Sequence, residues 1–173
     1  MGLMMTVALI ASVHSVARQQ GNTVVVAFVP AVTGDPFYIT LQSGMMQGFA
    51  DLNAETALMT WNPAHVSPDE QIQLLESILT RSDVDYLVIA PTDRELLIPM
   101  LEKAYHAGIN IITVDTFIGD GDYTSGSVTF PLAYIGSDHY TSGFVACKLL
   151  AENLGKGASI YIQRAGSDIS TAD

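Results

Sequence analysis

TVVVAFVPAVTGDPFY, residues 23–38, decides how the rest of the chain is read. From Val24 to Val29 it is apolar without alternation, which suits a parallel strand covered on both faces, because such a strand has no solvent side. A short loop follows, and then a helix start with Asp35 as N-cap and Pro36 at the first helical position. Asp35, Phe37 and Tyr38 thereby fall at the carboxyl end of the strand, where open α/β sheets bind ligands. Adjacent helical side chains point about 100° apart, so Phe37 and Tyr38 cannot both face the sheet, and at least one is expected to face the crevice.

Downstream of this stretch, Phe37, Leu41, Met45, Phe49 and Leu52 recur at helical spacing and form the expected inward stripe. Residues 56–61 (TALMTW) read as a second strand ended by Asn62-Pro63. Ser67 or Pro68 opens a second helix with Ile72, Leu75, Ile78 and Leu79 inward. Residues 85–90 (DYLVIA) read as a third strand. A third helix is expected over 93–107, with Leu97, Leu101, Ala104 and Tyr105 inward and Gly108 as its stop. Residues 109–114 (INIITV) form a fourth strand that ends at Asp115. Strands alternating with helices through short loops imply right-handed parallel βαβ units, hence an α/β, doubly wound parallel sheet with expected order 2-1-3-4-5.

Residues 116–133 break this rhythm with a segment rich in Gly, Ser, Thr and Asp, long enough to suggest a functional or mobile loop. A brief strand at 134–136, a helix from Tyr140 to Leu154 stopped by Gly155, and a strand at 158–163 (ASIYIQ) complete the reading. Eighteen acidic against seven basic residues give a formal charge of −11, which argues against phosphate backbones and anionic lipid surfaces as partners, and 49% apolar residues imply a real core. The segment MGLMMTVALIASVHSVA has an apolar centre from Leu3 to Val13, too short to span a bilayer, and Ser15 and Ala17 occupy the −3 and −1 positions of a signal-peptidase site before Arg18. No Lys or Arg precedes Arg18, although such signals normally open with one. Residues 1–20 are expected to be a signal peptide, and the mature chain has no segment expected to insert in a membrane.

The residues with chemical capacity each have a plain structural reading beside the functional one. Asp35 caps a helix in any case, and Asp115 could serve only as the start of an Asx turn. At the ends of buried strands, however, two carboxylates can accept hydroxyl hydrogen bonds while an aromatic face stacks on the C–H face of a sugar ring. His14, His65, His106 and His139 share no metal-ligand spacing, and GDGD at 119–122 places Pro131 where a calcium loop needs its bidentate Glu, so no metal is expected. The single Cys147 reads as a small core residue. Phosphate-binding glycine loops and a GxSxG elbow are absent, so no cofactor is expected and catalysis is disfavoured.

The stretches GDPFYITLQSGMMQGFADL (34–52), DEQIQLLESILTRSDVDYLVIAPTD (69–93), LEKAYHAGINIITVDT (101–116) and YIGSDHYTSGFVACKLLAENLGKG (134–157), in this order and spacing, resemble the type I periplasmic sugar-binding proteins of ABC transporters, the ribose-binding-like group. The resemblance implies a two-lobed protein that binds a monosaccharide or related polyol between lobes closing about a hinge. By the resemblance, 21–137 is the N-terminal lobe, 138–173 is the crossover and incomplete start of a C-terminal lobe, and the chain is truncated. It further implies that Asp35, Phe37, Tyr38 and Asp115 contact sugar, with Thr116 and Asp138 as further ligand-binding candidates. Ala90 and Thr116 stand where ribose-type members often have Asn and Arg, a departure that bears on ribose itself. Implied partners are the sugar and a membrane permease, with no nucleic acid, a periplasmic location and a monomeric complete protein. The alternatives sharing this fold are the ligand-sensing core of a LacI-type regulator, whose basic helix-turn-helix has no counterpart before the first strand here, and an extracellular sensor domain. A doubly wound enzyme is a third.

Overall fold

A computed structural model describes residues 23–161. The expected signal peptide, and the last two residues of the strand expected at 158–163, lie outside the described residues. Five strands, β1 (Val24–Val29), β2 (Thr56–Thr60), β3 (Tyr86–Ile89), β4 (Asn110–Val114) and β5 (Ala133–Ile135), form one sheet in the order β2-β1-β3-β4-β5. Every neighbouring pair is parallel, with Val26 opposite both Leu58 and Tyr86, and Leu87 opposite Ile111. This is the expected α/β doubly wound arrangement.

The two faces of β1 divide the core between them. Ala27 and Val29 join a cluster with Leu75, Ile78, Leu87, Leu101 and Ile111, beneath helices α2 (Pro68–Leu79) and α3 (Ile98–His106). Val26 and Phe28 face the other way, into a smaller cluster under helix α1 (Pro36–Asp51). Side chains alternate across a strand, so burial of both sets is what the unbroken apolar run requires.

On α1 the inward residues are Tyr38, Leu41, Met45 and Phe49. Phe37 is instead 51% exposed and Leu52 76% exposed. Four-residue steps overshoot a helical turn by about 40° each, so a stripe 37-41-45-49 drifts off the sheet, whereas a three-residue step from Tyr38 re-centres it. Leu52 lies past the last helical residue, as the C-cap. Tyr105, expected inward, is 44% exposed and stacks on Phe130, with centroids 5.7 Å apart. The third helix begins at Ile98 rather than near 93. Pro99 has no N–H to give Glu95 and disfavours helical backbone before it, so the preceding residues form turns in which Asp93 Oδ1 accepts from the amides of Glu95 and Leu96.

The loop 116–132 is built rather than slack. Ile118 and Val128 plug into the larger cluster, and the Tyr123 hydroxyl meets Thr113 Oγ1 at 2.8 Å and accepts from the Ile118 amide at 3.0 Å. Asp120 accepts from the amides of Asp122 and Ser127, and Asp122 from those of Thr124 and Ser125, so both GDGD carboxylates face their own backbone. A Cβ on Gly126 would stand 2.2 Å from Asp120 Oδ1, which explains glycine there.

Helix α4 (His139–Leu154) buries none of its residues, and everything from Ile135 to Tyr161 is exposed. Cys147 is therefore exposed, not a core residue, because the helix that carries it packs on nothing among the described residues. Residues 158–161 form no strand, since none pairs with them there. No helix among the described residues is long and apolar enough to cross a membrane.

Candidate functional site

The loops leaving β1, β3 and β4 meet at the carboxyl edge of the sheet. Asp35 ends the first of them in extended backbone, and its Oδ1 accepts from the Phe37 amide at 2.8 Å, as a capping carboxylate should. Tyr38, one turn into α1, lays its ring on the smaller core cluster and donates from its hydroxyl to Asp115 Oδ2 at 3.0 Å. Burial, and after it the neighbouring Asp115 charge, raises the phenol above its ordinary pKa, so Tyr38 remains a protonated donor.

Asp115 is the most constrained residue of the site. Its φ of 63° lies in the left-handed region, which costs a non-glycine residue roughly 1–3 kcal/mol and persists only where the surroundings enforce it. Here they do. The Asp115 amide donates to Ile135 O at 2.9 Å, its carbonyl accepts from the Tyr134 hydroxyl at 2.8 Å, and a tight turn is closed by the Thr116 amide on Val114 O at 2.7 Å. The carboxylate is thus presented at the end of β4 from a backbone tied to β5.

Gln71 of α2 supplies the rigidity of the other two loops. Fully buried, it donates from Nε2 to Pro30 O at 3.1 Å and Ala90 O at 2.8 Å, while Oε1 accepts from both the amide and the hydroxyl of Thr92 at 2.9 Å. One side chain therefore satisfies four polar groups at the ends of β1 and β3, where any left unpaired would be costly. The β2 side is tied in by the Thr33 amide on Pro63 O at 2.8 Å.

These loops enclose a cleft of about 170 Å³ bounded by Asp35, Tyr38, Val66, Thr92, Asp115 and Thr116, among others. Four of the expected site residues, Asp35, Tyr38, Asp115 and Thr116, come together there; Thr116 is itself almost wholly buried. Phe37 does not line the cleft; its ring meets Tyr38 edge-on, with centroids 5.1 Å apart, on the exposed rim. Asp138 stands apart as the N-cap of α4, accepting from the Thr141 amide at 2.9 Å. A larger depression, about 320 Å³, lies between α3 and residues 127–130 and holds none of the expected residues.

Two carboxylates, a phenol and two threonines can bond to hydroxyl groups, chiefly as acceptors because the Tyr38 and Thr92 protons are given to Asp115 and Gln71, and among the described residues no Lys or Arg lines the cleft. No grouping of His, Cys, Asp and Glu among the described residues could hold a metal ion. His65 pairs with Glu70 and His106 approaches Glu102, both on the surface. Sequence reasoning missed Gln71, Thr92 and Tyr134. Gln71 was findable: it stands four residues before Leu75 and seven before Ile78, on the buried stripe of its helix.

The family model described as periplasmic binding protein domain matches residues 26–172. The D-ribose/D-allose-binding protein of Pseudomonas aeruginosa is 26% identical over 139 residues, which are 79% of this chain and 42% of that protein. An ABC transporter solute-binding protein from Agrobacterium vitis, solved with alpha-D-tagatopyranose, is 36% identical, with a TM-score of 0.75 over 86% of this chain and 50% of its own. A second solute-binding protein from Agrobacterium vitis, solved with D-fucose, shares the fold with a TM-score of 0.74 at 19% identity, over 86% of this chain and 49% of its own. The chain spans about half the length of the relatives it matches.

Proposed function

Since the chain belongs to the periplasmic binding protein domain family, we propose that it supplies one wall of a sugar-binding crevice in the solute-binding component of an ABC importer. The observation that carries this reading is the cleft at the carboxyl edge of the sheet, where Asp35 and Asp115 present carboxylates beside the Tyr38 phenol with no cationic side chain among the described residues. Such a set suits a neutral polyhydroxyl ligand: carboxylates accept from its hydroxyls, and bonds to charged groups are each worth roughly 1.5–3 kcal/mol. The exposed ring of Phe37 on the rim offers a stacking face. The sugars named for the relatives, ribose and allose for one and tagatose for another, support this ligand class.

In this reading the protein is exported to the periplasm, binds its ligand without transforming it, needs no cofactor, and hands the sugar to a membrane permease as a monomer. The decisive experiment is an NMR titration of the chain, which reads affinities into the millimolar range, against D-ribose, D-allose, D-fucose and D-tagatose. Shifts should centre on the residues of the cleft for at least one sugar. Asp115→Gly, which keeps the left-handed backbone while deleting the carboxylate, should weaken that sugar by about 2–4 kcal/mol. Equal binding by the parent and the variant would remove Asp115 from the site.

A further inference from the structure

Resting on that reading, we propose that the Tyr38 hydroxyl sets ligand specificity by engaging one oxygen of Asp115, so that the carboxylate offers the ligand a single unengaged oxygen. The Tyr38 ring is half-buried and packs against the smaller core cluster, and so cannot swing aside without leaving it. Its hydroxyl reaches Asp115 Oδ2 at 3.0 Å. The Asp115 backbone is equally fixed, by the Ile135 carbonyl, the Tyr134 hydroxyl and the left-handed turn. Neither partner can rotate freely, and among the described residues no hydrogen bond reaches Oδ1. A free carboxylate can grip two neighbouring hydroxyls at once. This one leaves only Oδ1 unengaged, in a fixed direction, and discriminates by where on the sugar ring the hydroxyl that meets Oδ1 lies.

Tyr38 is on this account a positioning residue as well as part of the wall, and Tyr38→Phe separates the roles because it keeps the ring and removes only the hydroxyl. In the ligand-free chain, a slowly exchanging hydroxyl proton should appear in the proton NMR spectrum and vanish in both Tyr38→Phe and Asp115→Gly. In titrations with D-ribose, D-allose, D-fucose and D-tagatose, Tyr38→Phe should weaken the best-bound sugar about 5- to 20-fold and narrow the spread of affinities across the four. Thermal unfolding of the variant serves as control, since a purely structural role would lower the midpoint and leave the affinity ranking of the folded protein intact. Unchanged or tighter binding with the same ranking would overturn the inference, as would absence of the protected proton in the parent. If that proton is present and no sugar in the panel binds the parent, the sugar reading itself has failed and takes the inference with it.

Discussion

Gln71 makes the strongest case for a single side chain holding the site together, because its amide is matched on both ends by polar groups at the ends of β1 and β3. Gln71→Leu keeps the volume and strands the Pro30 and Ala90 carbonyls with the Thr92 amide in a dry interior, so unfolding free energy should fall by about 3–5 kcal/mol in denaturant titration. A loss under 1 kcal/mol would mean that water enters and replaces it. The burial of Gln71 was legible in its helical spacing, but its role was not, because its partners are mainly backbone carbonyls and an amide, which leave no mark in a sequence. Asp35 and Asp115 were legible for the opposite reason: one stands before a Pro-aromatic helix start and the other at the end of an apolar run. Phe37 and Tyr38 were legible as a pair, while their division of labour, one on the rim and one in the wall, depended on the rotation of α1.

At the scale of elements, apolar runs gave away all five strands of the sheet to within a residue or two, while parallel βα connection restricted their order without fixing it, and the order expected is the one observed. The start of α3 did not follow, since Leu96 and Leu97 keep the helical spacing while Pro99 denies it a backbone bond. The loop 116–132 was visible only as a break in rhythm, because its order comes from Asp120 and Asp122 bonding to amides two to seven residues on. Backbone amides of Ser127 and Asp122 hold Asp120 below the usual carboxylate range, and the Ser125 hydroxyl does so first for Asp122. A depressed folded pKa means stability present above the ordinary value of 3.8 and lost as pH falls through the folded value. Protection factors from amide hydrogen exchange over 116–132 should therefore fall below about pH 4 ahead of those in β1 and β3. A parallel fall in loop and sheet would show that the loop draws its order from the core alone.

At the scale of the molecule, among the described residues the two faces of the sheet are unequally covered, by α2 and α3 on one side and by α1 on the other. Apolar side chains remain open to solvent on α1, with Phe37, Ile39 and Met46, and along α4, with Phe144, Leu149 and Leu154. Exposure on this scale should make the chain bind a hydrophobic dye and self-associate. The charge of −11 opposes association at low salt, so raising ionic strength from about 0.05 to 0.5 M should increase the weight-average mass in light scattering. A dye-silent monomer at both salt concentrations would show that these faces are covered by residues beyond the described ones.

The strand order has a consequence in time. β1 lies between β2 and β3, so as the chain leaves the ribosome the sheet first closes on one side of β1, then grows outward on the other through β3, β4 and β5. Tyr38 and Asp115 are separated by 77 positions. At about 5–20 residues per second of synthesis, the first half of the cleft waits roughly 4–15 s for the second. For the last part of that interval, roughly 1–4 s between the end of β3 and the start of β4, the free side of β3 has no neighbour, and any partner able to add a strand there competes with β4.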